Sequence, residues 1–214
     1  MSEQRDTEKE SIDKKSIYYD QRSVALRTTQ SIYFVKEHDK TSMLELLLND
    51  YKKMQVVIVV KSKKKADALS TFLLSKDFSV LSVHGNHREE KQQDAAKKFN
   101  LAELNIIITT DMILKTLALE NIKLVLSYDL PDVAQEYYNR LAYMKELGVA
   151  MALVSPEDEG ALVDIEYNMK AEIEEKTVEG FVSTAKPKQT VKTKKDRTKK
   201  PRHRKNKMKK ENDA

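Results

Sequence analysis

The sequence predicts an α/β fold, a single doubly wound domain in which helices flank both faces of a mostly parallel sheet of about six strands. Three observations support this prediction. Short apolar runs recur along the chain, helical apolar stripes separate them, and the connections between the two are short. Apolar runs of this length fit strands that are buried on both faces of a parallel sheet.

Six apolar runs are predicted to be strands. The clearest is 56–60, which reads Val-Val-Ile-Val-Val, and the three consecutive isoleucines at 106–108 are β-branched in the same way. β-branched residues favour the pleated, buried surface of a strand. The predicted strands cover residues 31–35, 56–60, 78–83, 104–109, 122–127 and 149–154.

Helical stripes follow most of these strands. Asp39 or Thr41 is expected to cap the first helix, and Ser62 is a good N-cap for the second. The first stripe consists of Met43, Leu44, Leu47, Leu48 and Tyr51, and the second consists of Ala66, Leu69, Phe72 and Leu73. Later helices are expected up to about Phe99, just after Thr110, over 133–144 and over 157–176.

The composition excludes several classes of protein. The 214 residues include no cysteine, so a disulfide framework and a thiolate metal site are excluded. No apolar run approaches the roughly 20 residues that span a bilayer, and the first residues are charged. The sequence therefore predicts a cytoplasmic protein that does not interact with membranes.

Charge is distributed unevenly along the chain. Residues 186–214 contain 14 Lys or Arg and 3 Asp or Glu, a net charge of +11, whereas the whole chain carries +5 and the remainder therefore −6. We expect a charged flexible arm over 1–23, a folded domain over 24–180 and a disordered basic tail over 181–214. The tail is predicted to contact nucleic-acid phosphates through Lys194, Lys195, Lys199, Lys200, Arg202 and Arg204.

Polar residues stop each of three central strands. These stops are Lys61-Ser62-Lys63, His84-Gly85-Asn86-His87-Arg88 and Thr109-Thr110-Asp111. The carboxyl ends of parallel strands meet at one edge of the sheet, where open α/β sheets bind ligands. Cations, hydroxyls, amides at helix starts and a glycine are the groups that bind a row of phosphates.

Several kinds of catalytic site are missing from the sequence. The four glycines, at 85, 148, 160 and 180, do not have the spacing of a Gly-x-x-x-x-Gly-Lys-Ser/Thr loop or of Gly-x-Gly-x-x-Gly. There is also no Gly-x-Ser-x-Gly elbow and no His-Glu-x-x-His. We therefore predict no catalytic residue, no metal ligand and no self-contained nucleotide site.

From about residue 28 to 180 the chain resembles the second RecA-like domain of DEAD-box RNA helicases, and most of all the bacterial RhlE-like branch. The order and spacing of the matching segments identify the family. They are the strand and helix start at 56–69 (motif IV), His84-Gly85-Asn86, Thr109-Thr110-Asp111 (motif V), Tyr128-Asp129-Leu130-Pro131, Tyr137-Tyr138-Asn139-Arg140 (motif VI), the closing strand 148–154 and Val178-Glu179-Gly180-Phe181.

The chain departs from the family pattern where the family contacts nucleotide. Motif V of the family continues Ala-Arg-Gly-Leu-Asp, where this chain has Lys115 in place of the Arg and Ala118 in place of the Asp. In motif VI, Asn139 replaces a His, Arg140 is kept, and both later arginines are absent, with about three residues deleted before Gly148. In the loop after His84, Glu89 and Gln92 stand where the family has Gln and Arg.

The resemblance implies that the lost arginines would have reached the γ-phosphate of ATP bound to a first domain. Such arginines contribute about 10³–10⁵ in rate in related phosphoryl-transfer systems. Lys145 cannot reproduce the bidentate arginine fork. We expect no cofactor for this chain alone, and ATP with magnesium only if a partner domain supplies the site.

The leading hypothesis is an RNA-binding module derived from a helicase, without ATPase activity of its own. It would contact single-stranded or structured RNA along the phosphates, independently of sequence. The candidate RNA-binding residues are Lys61, Ser62, Lys63, His84, Gly85, Asn86, Thr109, Thr110, Asp111 and Lys115.

Purely structural explanations compete with these RNA-binding assignments. Asp111 is a good N-cap for a short helix, with or without an RNA contact at Thr110. Gly85 suits a tight turn as well as a close approach of RNA, and His84 alone is more often a structural histidine than a ligand. Arg140 is interpreted as a remnant of motif VI that forms a surface or interdomain ion pair.

Two further functions stay open at this point. The chain is one half of a split ATP-dependent RNA helicase whose partner is a helicase N-terminal domain, or it is a non-enzymatic adaptor or inhibitor that acts on a helicase or a ribonucleoprotein. The first predicts RNA-stimulated ATP hydrolysis only after the two chains are mixed. The second predicts competition with an intact helicase without intrinsic RNA affinity.

Overall fold

The computed structural model describes residues 28–144 and 147–184. Seven parallel strands form one sheet in the order β3-β4-β2-β5-β6-β1-β7. The strands are β1 (Thr28–Phe34), β2 (Val56–Val59), β3 (Val80–Val83), β4 (Ile106–Thr109), β5 (Leu124–Ser127), β6 (Gly148–Val154) and β7 (Glu174–Glu175). The helices are α1 (Lys40–Asn49), α2 (Lys63–Leu74), α3 (Glu89–Asn100), α4 (Asp111–Leu114), α5 (Ala134–Ala142) and α6 (Glu159–Met169), with 3-10 turns at Glu37–Asp39 and Pro156–Asp158.

Helices cover both faces of this sheet, as the sequence predicts. Along β2 the side chains alternate between two cores: Val57 and Val59 belong to one, Val56 and Ile58 to the other. The first core also receives apolar residues of α3, α5 and α6, and the second receives those of α1 and α2. Because every residue of β2, β4 and β5 is buried, these strands read as continuous apolar runs rather than alternating ones.

The strand register brings four strand ends to one level. Val59 is paired with Thr109 and with Ser127, and Thr109 is paired with Val83. Consequently the residues that follow β2, β3, β4 and β5 all emerge at the carboxyl edge of the sheet.

The carboxyl-terminal part of the domain differs from the prediction. The helix that was expected over 157–176 ends at Met169, because Lys170 adopts a left-handed conformation with φ 56°. The chain then forms β7, whose two exposed glutamates pair with Ser31 and Ile32 of β1. Two exposed glutamates lack any apolar pattern, so this strand has no sequence signature.

The described chain continues beyond the predicted domain end at residue 180. Asp39 accepts hydrogen bonds from the Thr184 amide at 2.9 Å, from Thr184 Oγ1 at 2.5 Å and from Ser183 Oγ at 3.2 Å. Residues 181–184, which were assigned to a disordered tail, are therefore bound to the domain. The predicted arm over 1–23 and the six predicted tail contacts between Lys194 and Arg204 lie outside the described residues.

Among the described residues, no helix is both long enough and apolar enough to cross a membrane.

Candidate functional site

A cleft of about 650 Å³ opens where the loops after β2, β3 and β4 meet the segment after β5. It brings together seven of the ten candidate RNA-binding residues. Its lining consists of Val60, Lys61, Lys63, His84, Gly85, Asn86, Thr110, Asp111, Met112, Ile113, Pro131, Asp132, Val133 and Glu136. The expectation that Lys61, Gly85 and Thr110 share one rim therefore agrees with the geometry.

The loop after β2 is fixed at both its main chain and its side chains. Ser62 caps α2 as predicted, because its Oγ accepts a hydrogen bond from the Lys65 amide at 3.2 Å. The Lys61 amide donates to Asp129 Oδ2 at 2.9 Å, and Lys63 Nζ donates to Asn86 Oδ1 at 2.9 Å. The last contact joins this loop to the loop after β3.

Gly85 is exposed at the lip of the cleft, and the fold does not require a glycine there. Its φ is not positive, unlike that of Gly180. A Cβ placed on Gly85 would meet Ile113 Cδ1 at 3.8 Å, an ordinary van der Waals contact, as its nearest neighbour. The tight-turn explanation is therefore insufficient, since a side chain fits both the backbone conformation and the space.

His84 and Asp67 form a hydrogen-bonded pair behind this loop. His84 is 4% exposed, and its Nε2 lies 2.8 Å from Asp67 Oδ1, which also accepts a hydrogen bond from Ser82 Oγ at 2.7 Å. The His84 ring stacks on His87 with 4.0 Å between centroids. The hydrogen bond from Ser82 is the chief cause that lowers the pKa of Asp67, and burial is the chief cause that lowers the pKa of His87.

Sequence reasoning gave Asp67 no role and placed His87 only among the polar residues that follow β3. The spacing His84-x-x-His87 was visible in the sequence, but the third group is on α2 and reaches the loop only through the packing of α2 beside β3. Metal-ligating atoms of Asp67, His84 and His87 lie within 4.8 Å of one another.

The end of β4 differs from the capping hypothesis. Asp111 does not cap α4: the helix begins at Asp111, Thr110 occupies the N-cap position, and no side chain caps the helix there. Thr109 is 0% exposed, and its Oγ1 has no hydrogen-bond partner within the described part of the chain. Thr110, which is partly exposed, is therefore the threonine that faces the cleft.

Arg140 occupies the floor beneath the cleft. It is 1% exposed and binds both carboxylate oxygens of Asp111, through Nε at 2.6 Å and Nη2 at 2.7 Å. Its Nη1 donates to Ser127 Oγ at 2.9 Å and to the Asp129 carbonyl at 2.8 Å. The prediction of a surface or interdomain ion pair is therefore wrong, because α5 packs against the sheet and turns this side chain inward.

Carboxylates pair with Lys61 in the cleft and with Lys115 next to it. Lys61 Nζ lies 2.6 Å from Asp132 Oδ1, and Lys115 Nζ lies 2.8 Å from Glu136 Oε1. Hydrogen bonding between the partners raises the pKa of Lys115 and lowers that of Glu136. Lys63, the other lysine in the described lining of the cleft, instead contacts the neutral side-chain amide of Asn86.

Two apolar side chains flank the cleft. Met112 is 75% exposed and Val133 is 59% exposed, and both belong to the lining. Sequence reasoning assigned them no role, since an isolated exposed Met or Val is common on protein surfaces.

A buried charge network supports the loop after β2 from behind. Lys40 is fully buried, with Nζ 2.7 Å from Asp158 Oδ2 and 3.7 Å from Asp129 Oδ1. Lys65 Nζ lies 2.7 Å from the same Asp129 oxygen and 2.8 Å from Glu37 Oε1. Asp129 is thus engaged by two lysines and by a main-chain amide, which fixes the position of Lys61.

The domain is similar in fold to solved helicase structures. A DEAD box protein from Methanococcus jannaschii superposes with a TM-score of 0.67 and 22% identity, covering 72% of this chain and 43% of that protein. The Saccharomyces cerevisiae protein Dbp5, solved with RNA and ADP BeF3, superposes with a TM-score of 0.65 and 21% identity. The match covers 71% of this chain and 42% of Dbp5. At these identities the likeness establishes the fold.

Sequence comparison decides the family. Residues 39–142 match the helicase conserved C-terminal domain. The ATP-dependent RNA helicase SUB2-2 of Vanderwaltozyma polyspora is 32% identical over 167 residues, covering 76% of this chain and 38% of that protein. SUB2 of Saccharomyces cerevisiae is 31% identical over 167 residues, covering 76% of this chain and 37% of that protein. This chain carries the C-terminal RecA-like domain of a DEAD-box RNA helicase.

The helicase C-terminal domain accounts for only part of these relatives. The chain spans about 38% of the length of the curated relatives it matches. The family resemblance and the RecA-like fold predicted from the sequence are confirmed, whereas the RhlE-like branch stays a prediction.

Proposed function

We propose that this helicase C-terminal domain is an RNA-binding module that contacts the phosphate backbone across the cleft and does not hydrolyse ATP by itself. The direct contacts are Lys61, Lys63, Gly85, Asn86 and Thr110. Ser62, His84, Thr109, Asp111 and Lys115 support them, since each is buried or engaged by a neighbouring group.

The observation that carries the proposal is Gly85, a glycine at the edge of the cleft that the fold itself does not require. A Cβ on Gly85 meets nothing closer than 3.8 Å within the domain, and the backbone conformation does not demand glycine. A residue without a side chain at this exposed position leaves room for an external group to approach the main chain. Glycine has this role where a backbone cradles phosphates.

The chemistry of the cleft suits sequence-independent binding. Lys63 Nζ and the first-turn amides of α2 other than that of Lys65, which Ser62 caps, attract phosphate oxygens. Met112 and Val133 offer apolar contact to sugars or base faces. The carboxylates that line the cleft, among them Asp132, which pairs with Lys61, keep its net charge low, so affinity from this surface alone is expected to be modest.

Two comparisons support RNA as the ligand. The curated relatives are named as RNA helicases, and the Dbp5 chain, which shares the fold, was solved bound to RNA. We extend RNA binding from those proteins to the domain described here.

Residue chemistry supports the proposal that the domain does not hydrolyse ATP by itself. The sequence contains no phosphate-binding loop, Ala118 stands where the family has a nucleotide-facing Asp, and the arginines after Arg140 are missing. Lys145, the next cation in the sequence after Arg140, lies outside the described residues. ATP and magnesium would therefore act here only through a separate domain that supplies their site.

Replacing Gly85 tests the proposal. Gly85→Ala should leave the fold unchanged and weaken binding of a labelled single-stranded uridine homopolymer by about tenfold, the size of one charge-assisted hydrogen bond. The matched control is Gly160→Ala on α6, where a Cβ meets nothing within 4 Å. Fluorescence anisotropy at fixed salt gives both affinities. Equal affinities for the two variants would refute the assignment of the cleft.

A second candidate is one half of an ATP-dependent helicase. The observation that favours it is coverage, since the relatives are whole ATP-dependent helicases of which this domain matches about 38%. It predicts RNA-stimulated ATP hydrolysis when this chain is mixed with a helicase N-terminal domain that is inactive alone. The missing arginines argue for a low rate in that mixture.

A further inference from the structure

Three metal-ligating side chains converge beside the loop after β3. Asp67 comes from α2, His84 follows β3, and His87 lies three residues further on. Their ligand atoms lie within 4.8 Å of one another. Elsewhere in the described residues, His38 also lies beside a carboxylate, that of Asp39 at 3.6 Å, but without a second histidine.

Neighbouring groups already orient two of the three side chains. Ser82 Oγ donates to Asp67 Oδ1 at 2.7 Å, and His84 Nε2 lies 2.8 Å from the same oxygen. The Nδ1 of His84 is buried without a hydrogen-bond partner in the described structure, so Asp67 is the hydrogen-bond partner that orients the ring. A carboxylate that is fixed by an outer hydroxyl is the arrangement that tunes metal ligands in proteins.

Two imidazoles and one carboxylate select a particular class of ion. Imidazole nitrogen suits zinc, cobalt, nickel and copper, whereas magnesium and calcium require a shell of oxygens. Three protein ligands leave a position open to an exchangeable ligand, as in zinc sites that are not purely structural. We propose that Asp67, His84 and His87 bind one divalent transition-metal ion, with zinc as the typical occupant.

The separations are compatible with this ion. Ligands of a tetrahedral zinc site with bonds of about 2.0–2.1 Å lie about 3.3 Å apart. The Asp67–His84 contact of 2.8 Å is a hydrogen bond that would widen slightly when the ion replaces its proton. His87, which is partly exposed on a loop, closes the remaining gap by a shift of up to about 1.5 Å.

A purely structural role is the alternative explanation. The Asp67–His84 hydrogen bond by itself ties α2 to the loop. His87 stacks on His84 at an interplanar angle of 24°, and its Nδ1 accepts a hydrogen bond from the His84 amide at 3.4 Å. The two explanations differ in what His87 contributes, and that difference can be measured.

The test is a titration of the full chain, free of any polyhistidine tag, with cobalt(II) and then zinc(II). We expect one equivalent of cobalt with visible d–d absorption, displaced by zinc, and a raised melting temperature with zinc. His87→Gln and Asp67→Asn should each weaken zinc binding by at least about tenfold. His38→Gln and His203→Gln are matched controls that should bind as the parent does.

Several outcomes would overturn the metal site. These are the lack of saturable one-to-one binding, equal zinc affinity for His87→Gln and the parent, or loss of binding in His203→Gln. Circular dichroism verifies that His87→Gln is folded. No RNA is present in the titration, so its result is independent of the proposed function.

Discussion

At the residue scale, the guanidinium of Arg140 connects three segments of the domain. It binds the Asp111 carboxylate in a bidentate pair, the Ser127 hydroxyl and the Asp129 carbonyl. Four hydrogen bonds thus join α5, the start of α4 and the end of β5 beneath the cleft. A planar fork with five donors can do this, whereas a lysine cannot.

Asp111→Ala is expected to destabilise the domain strongly. It leaves a guanidinium that is 1% exposed without its counter-charge, and breaking such a pair costs about 3–5 kcal/mol of unfolding free energy. Urea denaturation followed by circular dichroism measures the change. Lys115→Ala, which breaks the solvent-exposed pair with Glu136, is the control and should leave the midpoint nearly unchanged. Equal midpoints for the two variants would mean that the buried Arg140–Asp111 pair contributes little to the free energy of unfolding.

At the element scale, the start of α1 holds the carboxyl-terminal segment on the domain. Asp39, in the turn after β1, accepts three hydrogen bonds from Ser183 and Thr184, and Lys36 Nζ donates to the Thr184 carbonyl at 3.0 Å. We call the contacts to Asp39 the Asp39 clamp. Hydrogen bonding from Thr184 is the chief cause that lowers the pKa of Asp39.

Asp39→Ala should release residues 181–184 without unfolding the sheet. The Thr184 amide loses its acceptor, so its hydrogen exchange should accelerate by at least about tenfold. Glu45→Ala on α1 is the control, since Glu45 contacts Lys76 and not this segment. Protection of Thr184 that survives in Asp39→Ala would show that the clamp is not what holds it.

The clamp should also respond to acid, with a definite sign. A carboxylate whose pKa is lowered in the folded state stabilises that state above its ordinary pKa, and the contribution is lost as pH falls through the lowered value. The Asp39 clamp is therefore present at neutral pH and weakens only in strong acid.

At the scale of the whole molecule, charge is divided between the domain and the tail. The tail has a net charge of +11 and the remaining chain −6. Asp39 follows β1, so the clamp places Thr184 at the same edge of the sheet that carries the cleft. The basic residues begin at Lys186, two residues later.

Removal of residues 186–214 should weaken RNA binding and reduce its dependence on salt. Each phosphate that the tail neutralises contributes about −0.7 to the slope of log affinity against log salt for a single strand. Anisotropy titrations at several salt concentrations compare the full chain with residues 1–185. Gly85→Ala is a useful contrast, because it should lower affinity with little change in slope. Unchanged binding after the deletion would refute the role of the tail.

Several features of the fold could be predicted because they depend on local chemistry. The run Val56–Val59 is apolar throughout, and Ser62 follows it with a side chain that can accept an amide. Neither inference needs knowledge of a distant residue. Glu174–Glu175 failed to be predicted because this strand depends on pairing with β1 rather than on its own composition.

The sequence by itself determined the alternating fold, the family, the cap at Ser62 and the set of polar residues at the strand ends. Only the tertiary structure decided how their charges are paired. Lys61 with Asp132, Arg140 with Asp111 and His84 with Asp67 join residues 71, 29 and 17 positions apart. Hydrophobic period and capping act within one or two turns of chain, whereas an ion pair forms wherever packing brings two charges together. For that reason the sequence predicted that seven of the cleft residues share one edge of the sheet, while the structure showed how their charges are paired.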